Sequence, residues 1–142
     1  MSYTRVWIHA VWSTKNREPL IEKEIRDKIF SHIKDNAIDK GIFLNCIGGY
    51  LEHVHCLLAL RADQNIASAL QTLKGESSFW INKNKLTMFK FGWQNEYFAV
   101  SVSESLFDKV RHYIINQEEH HKHKTYSEEY EQFIEKFGFE KE

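Results

Sequence analysis

The fold class predicted for this chain is α+β, an antiparallel sheet of the ferredoxin-like, split βαβ kind with helices packed on it. Three observations predict it. Four segments alternate apolar and polar residues with a period of two, as strands do. Two long segments repeat their apolar residues every three or four positions, as helices do. The order, β-α-β-β-α-β followed by further helix, is that of the split βαβ arrangement. A chain of 142 residues makes one such domain. We assign residues 1–125 to it and 126–142 to a short acidic C-terminal helix or tail.

The elements follow from local chemistry. Residues 5–13 (RVWIHAVWS) put Val6, Ile8, Ala10 and Trp12 on one face of a strand. From Ile21 to Lys40, Ile21, Ile25, Ile29, Ile33 and Ala37 recur every four residues between charged ones, and Gly41 follows as a helix stop. Residues 42–47 predict a second strand that breaks at Gly48-Gly49, and 53–60 (HVHCLLAL) a third, paired with it as a hairpin. A second helix is predicted over 66–82 and a fourth strand over 96–102. One continuous helix, capped by Ser103, is predicted to run to about His120, and a short acidic helix over 127–137.

Composition narrows the function classes. Hydrophobic residues are 42%, charged residues 27%, and there is one proline, which describes a folded globular chain. A net charge of −1 excludes a uniformly basic nucleic-acid coat but leaves room for a local basic face. Cys46 and Cys56 sit in apolar stretches without a CxxC spacing and predict two buried, reduced thiols. The absence of a long apolar run and of a signal peptide predicts a cytoplasmic protein with no membrane partner.

Two features carry chemistry. His53 and His55 are i and i+2 on a strand, so both imidazoles project from one face, where they can chelate one ion. HxH alone is a weak signal that fits two hydrogen-bonded strand histidines better than a metal site. In the helix that follows the fourth strand, Leu106, Val110, Tyr113, Ile114 and Gln117 share a face. Gln117 is the misfit, because an amide on a core-facing stripe needs partners. Its carbonyl oxygen suits a metal, and Tyr113, one turn earlier, would lie beside a phosphate bound there. A phenol, with a pKa of about 10, needs help with its proton before it can act as a nucleophile.

With these residues in view, the sequence resembles the single-tyrosine HUH transposases of the smallest bacterial insertion sequences, the IS200-like family, and the related REP-associated tyrosine transposases. The match is carried by His53-Val54-His55-Cys56-Leu57-Leu58 and by Tyr113-Ile114-Ile115-Asn116-Gln117. It extends to Trp7–Arg17, to Trp93–Phe98 with Ser101–Ser103, and to Gln117–Lys122, so it covers nearly the whole chain. One departure is visible: Leu51-Glu52 stands where the family commonly has Pro-Asp, and Glu52 keeps the negative charge.

The resemblance implies an enzyme that cuts and rejoins single-stranded DNA through a 5′-phosphotyrosine intermediate. Tyr113 would be the nucleophile, and His53, His55 and Gln117 would hold Mg2+ or Mn2+. No nucleotide cofactor is implied, because exchange of phosphodiesters conserves bond energy. The DNA would be a hairpin at each element end. Two ends and one tyrosine per protomer imply a homodimer, with Tyr113 in cis or in trans. Two other readings remain open: a domesticated HUH nickase of repeat palindromes, and a non-catalytic nucleic-acid-binding module on the same fold.

DNA binding also needs cations and stacking surfaces. Lys15, Arg17, Lys74, Lys83 and Lys85 are the candidate phosphate contacts, and Trp93, with Trp80, Phe89 and Phe91, the candidate stacking surface. A solvated lysine face and core aromatics account for the same residues. His9 and Glu52 are candidate supporting residues around the histidines. His120–Lys124 is expected to be a solvated helix end. From Glu118 to Glu142 there are four lysines and eight glutamates, whereas residues 1–117 carry 15 basic and 12 acidic groups. A mildly basic body is thus followed by an acidic segment.

Overall fold

The computed structural model of the chain describes residues 2–139; residues 140–142, the end of the acidic tail, lie outside them. Four strands form one antiparallel sheet: β1 (Val6–Ser13), β2 (Phe43–Gly49), β3 (His53–Leu60) and β4 (Phe98–Val102), in the order β2-β3-β1-β4. The two central strands are therefore β3 and β1, paired along Val6–Leu60 through Ser13–His53. The α+β class and the split βαβ order are those predicted.

Alternation along the central strands divides the molecule into two halves. On one face Ile8, Ala10, Trp12, Val54, Cys56 and Leu58 meet α1 (Lys23–Asp39) and α2 (Ile66–Lys83). Ile29, Ile33 and Ala37 of α1 and Leu70, Leu73 and Ile81 of α2 are almost wholly removed from water. Each of these isoleucine and leucine side chains contributes roughly 1.5–3 kcal/mol of transfer free energy. On the other face lie α3 (Phe107–Ile115), the single-turn α4 (Gln117–His120) and α5 (Tyr126–Lys136). Ile114 packs there against Trp7, Cys46 and Leu57, and Tyr126 against Val11 and Phe98. Both cysteines are free and buried, as predicted, and burial pushes the Cys46 thiol up to about 11.

Four local expectations are corrected. Gly48 and Gly49 do not break β2 but complete it. A Cβ on Gly48 would lie 1.9 Å from the Ile114 carbonyl oxygen, and one on Gly49 2.2 Å from the His53 carbonyl oxygen. Gly48 lets the α3 backbone rest directly on the sheet, and Gly49 lets the β2–β3 turn close against His53 and Phe30. The single helix predicted from Ser103 is in fact a 3-10 turn (Glu104–Leu106), then α3, then α4, with the break at Asn116. Ser103 makes no capping bond; its hydroxyl pairs with that of Ser105 at 3.0 Å. Leu106, predicted to begin the buried stripe, is half exposed because it belongs to that turn.

Candidate active site

The second half of the molecule carries the candidate site. β3 projects His53 and His55 side by side under α3–α5, and neither has any exposed surface. Their Nδ1 atoms are already committed. That of His53 lies 2.7 Å from Glu52 Oε1, and that of His55 lies 2.8 Å from His9 Nε2. Each Nε2 is thereby turned into the site, the way carboxylates and neighbouring imidazoles orient metal-binding histidines. His9 and Glu52, the two supporting candidates, take these positions.

The break at Asn116 aims Gln117. Its amide nitrogen donates to the Tyr113 carbonyl at 3.3 Å, which leaves Oε1 pointing at His53 Nε2, 3.0 Å away. Tyr113, one turn back on α3, is half-buried, with its hydroxyl against the carboxylate of Glu129 and 3.3 Å from His120 Nε2. The structure therefore brings Tyr113, His53, His55 and Gln117 into one cluster, although Tyr113 and Gln117 belong to separate helices.

Three members of the cluster were not among the predicted site residues. Glu129, on α5, is 1% exposed, and its Oε1 lies 3.0 Å from His55 Nε2 and 3.4 Å from His53 Nε2. His120 and His121 are not a solvated helix end, which corrects that expectation. His121 Nδ1 meets the Lys124 carbonyl at 2.7 Å, and its Nε2 lies 2.9 Å from Gln117 Oε1. The short α4 and its following turn fold these side chains back over β3. A signal for Glu129 exists in the sequence. Tyr126, Tyr130, Phe133 and Phe137 make an apolar stripe, and Glu129 falls on it, as conspicuous a misfit as Gln117.

The donor set fits a divalent cation. A carboxylate and a carbonyl only accept, so Nδ1 of His53 and of His121 must carry the hydrogen. In neutral rings both Nε2 atoms then offer lone pairs, and they face Gln117 Oε1 and Glu129 Oε1, which also offer lone pairs. His53, His55 and Glu129 hold their donor atoms within 4.8 Å of one another. Convergent lone pairs of this kind call for a positive charge among them. Burial opposes charge on His53, but the carboxylates of Glu129 and Glu52 outweigh burial, and its pKa is raised. Burial holds His55 at about 4 and His9 at about 3, both neutral. Glu129 is held below the usual carboxylate range, because His121, His53 and His55 together overcome the cost of burying its charge. Burial, then Glu129, pushes the Tyr113 phenol up, so it is neutral.

The candidate DNA contacts divide. Lys15, Lys83 and Lys85 are exposed on loops and helix ends. Arg17 is exposed but tethered to α5, bonded to Ser127 at 3.2 Å and stacked over Tyr126 and Tyr130. Lys74 reaches the carbonyls of Gln94 at 2.6 Å and Asn95 at 3.1 Å, so it ties the 94–96 loop to α2. Trp93 is 8% exposed, donates to Ser77 at 2.9 Å and sits edge-on to Trp12 and Phe91. It is a core residue here and offers no stacking face. Of the aromatics around it, Phe91 is buried, Trp80 lies flat against His32, and only Phe89 is open to solvent.

A strand carrying two histidines, a tyrosine helix and a glutamine, on a split βαβ sheet, define a single-tyrosine HUH architecture. Comparison with known proteins agrees: the family described as Transposase IS200 like matches residues 2–117, and the chain belongs to that family. Among its relatives is the ISDra2 transposase TnpA of Deinococcus radiodurans, 26% identical over 114 residues, covering 77% of this chain and 81% of the relative. Two solved structures share the fold. One is a candidate transposase from Deinococcus radiodurans R1, with TM-score 0.65, 24% identity, and coverage of 82% of this chain and 93% of that one. The other is a REP-associated tyrosine transposase bound to a REP hairpin, with TM-score 0.53, 18% identity, and coverage of 80% and 66%. The chain is thus an IS200-like transposase by family, a DNA-cutting class of enzyme. No helix among the described residues is long and apolar enough to cross a membrane. Glu129 and α5 lie beyond the matched segment.

Proposed function

We propose that this protein cuts and rejoins single-stranded DNA hairpins through a covalent link to Tyr113, with Mg2+ or Mn2+ held by His53, His55 and Gln117. One observation carries the reading: the phenol of Tyr113 and the donor atoms of His53, His55 and Gln117 belong to one contiguous cluster on one face of the sheet. The mixed nitrogen and oxygen donor set suits Mn2+ well, and Mg2+ with waters in its remaining positions. A bound ion supplies Lewis acidity and orientation to the scissile phosphate. Tyr113 and His120 are the half-exposed members of the cluster, so the phosphate approaches from their side.

The chemistry balances with this chain's own groups. The Tyr113 oxygen forms a bond to phosphorus, and the bond from phosphorus to the 3′ oxygen breaks. The phenolic proton is taken by the Glu129–His120 pair, and the departing oxygen receives a proton from the same pair to end as a 3′-OH. Burial, against the opposing charge of Glu129, lowers the pKa of His120, which keeps its imidazole neutral and able to accept. Attack by another strand's 3′-OH on the phosphotyrosine reverses these steps. The hairpin form of the substrate is supported by the structural neighbour that is bound to a REP hairpin. Two element ends require two tyrosines, hence a homodimer in the active assembly.

The test incubates the protein with single-stranded hairpin DNA and Mn2+ or Mg2+ and resolves covalent adducts on denaturing gels. Wild type is expected to form an adduct that Tyr113→Phe does not. An equal adduct from both would refute the nucleophile. His53→Ala is expected to lose cleavage while retaining hairpin binding.

A further inference from the structure

The geometry points to Glu129 of the C-terminal helix as a further ligand of the metal, one that lies outside the family-matched segment and makes α5 part of the metal centre. This inference rests on the metal-centred reading above and gives Glu129, which serves there only in proton transfer, a second task as a ligand.

The distances fit a shared ion. Ligand atoms around an ion with bonds of about 2.1 Å lie roughly 3.0 Å apart in octahedral geometry and about 3.4 Å apart in tetrahedral geometry. Glu129 Oε1 lies 3.0 Å from His55 Nε2, 3.4 Å from His53 Nε2 and 3.5 Å from His121 Nε2. Gln117 Oε1 lies 3.0 Å from His53 Nε2. One carboxylate oxygen thus lies at ligand-to-ligand distance from three imidazole nitrogens, on the same side of β3 as the amide oxygen.

The carboxylate is held there by built structure. Thr125 and Glu128 form a capping box that starts α5, so the helix has a fixed origin. Tyr126 and Phe133, one turn either side of Glu129, pack against Phe98 of β4, and Tyr126 also lies flat against the His53 ring at 4.3 Å. Burying an acid on an apolar stripe is costly unless a positive partner meets it. The second oxygen, Oε2, accepts from Tyr113 and lies 3.2 Å from His120 Nε2. The two oxygens have separate tasks: Oε1 faces the ion's ligands and Oε2 faces the nucleophile. A single carboxylate then registers the tyrosine against the metal, and a helix beyond the family-matched segment holds it.

The test uses the full-length protein and Mn2+ alone, followed by calorimetry or by the electron paramagnetic resonance of the free ion, with circular dichroism to confirm folding. Glu129→Gln keeps the shape and removes the charge. It is expected to weaken Mn2+ binding at least tenfold and to shrink the rise in Tm that Mn2+ produces. Glu129→Ala is expected to do the same, and Glu135→Gln, exposed on the same helix, to change neither. Unchanged or tighter Mn2+ binding by a folded Glu129→Gln would overturn the inference, because the carboxylate would then occupy the ion's place and be displaced by it. His53→Ala separates the two levels. If it binds Mn2+ as well as wild type, the metal-centred reading itself fails. If it loses Mn2+ while Glu129→Gln does not, only the role of Glu129 fails.

Discussion

The two faces of the sheet are built from the same strands and are chemically opposite. Trp12, Val54 and Cys56 point to α1 and α2 and pack in the apolar core. Their neighbours His53 and His55 point to α3–α5 and meet two carboxylates, an amide, a phenol and further imidazoles. The first face holds the fold mainly by burial, with the Trp93–Ser77 hydrogen bond set inside it. The second buries comparable side chains but satisfies them through directed polar contacts, each needing a specific partner at a specific distance. The difference teaches that one face tolerates repacking while the other works as a unit.

Substitutions on each face sharpen that contrast. The largest expected effect is on chemistry: Tyr113→Phe abolishes the covalent adduct while the melting temperature changes little, measured by gel and by thermal denaturation. Leu58→Ala, 1% exposed on the apolar face, is expected to cost about 2–5 kcal/mol of stability. Its Mn2+ affinity, measured below its melting temperature, should match wild type; a large loss would show that the two faces are coupled.

Gly48→Ala tests the seam between them. The added methyl meets the Ile114 carbonyl, so α3 must lift from the sheet and carry Tyr113 away from the histidines. Adduct formation is expected to fall at least tenfold, with a stability loss of roughly 1–3 kcal/mol. Wild-type adduct formation by the folded variant, with a loss of stability alone, would break the argument that Gly48 sets the height of the tyrosine.

A pH series of the metal-free protein should also resolve the faces. His9 and His55 titrate near 3 and 4 when folded, below their ordinary value of 6.5. Between pH 6.5 and 4 the unfolded chain binds protons there that the native chain does not, so stability falls on acidification through that window. His53, with its raised pKa, contributes stability that is fully present below 6.5, so it does not offset this loss. Urea midpoints should drop from pH 6.5 to 4, and His9→Gln should flatten the slope. The smallest effect concerns Cys46 and Cys56. Burial raises both thiols, Cys46 to about 11, so neither should react with a disulfide reagent at pH 8 until the chain is unfolded.

What was legible in the sequence follows local rules. Period-two alternation gave the faces of β1 and β3, and four-residue spacing gave α1. Gln117 could be singled out because a polar residue on an apolar stripe demands an explanation. The same reasoning applied to Glu129 would have found it, but a run of glutamates hides one buried acid among exposed ones. Trp93 and Lys74 could not be separated from surface residues by type alone, since a tryptophan can fill a core and an amine can tie a loop.

By itself the sequence determined the class of the fold, the pairing of His53 with His55 on one face and the helix that carries Tyr113. These depend on spacing along one strand or one helix. The tertiary structure alone decided that Gly48 seats α3, that the chain turns at Asn116 to aim Gln117, and that α5 folds back to set Glu129 among the imidazoles. Those features depend on contacts between residues 64 to 76 positions apart in the chain, as in the bonds of Gln117 and Glu129 to the histidines and in the ion pair of Glu129 with His53, and no local period encodes them.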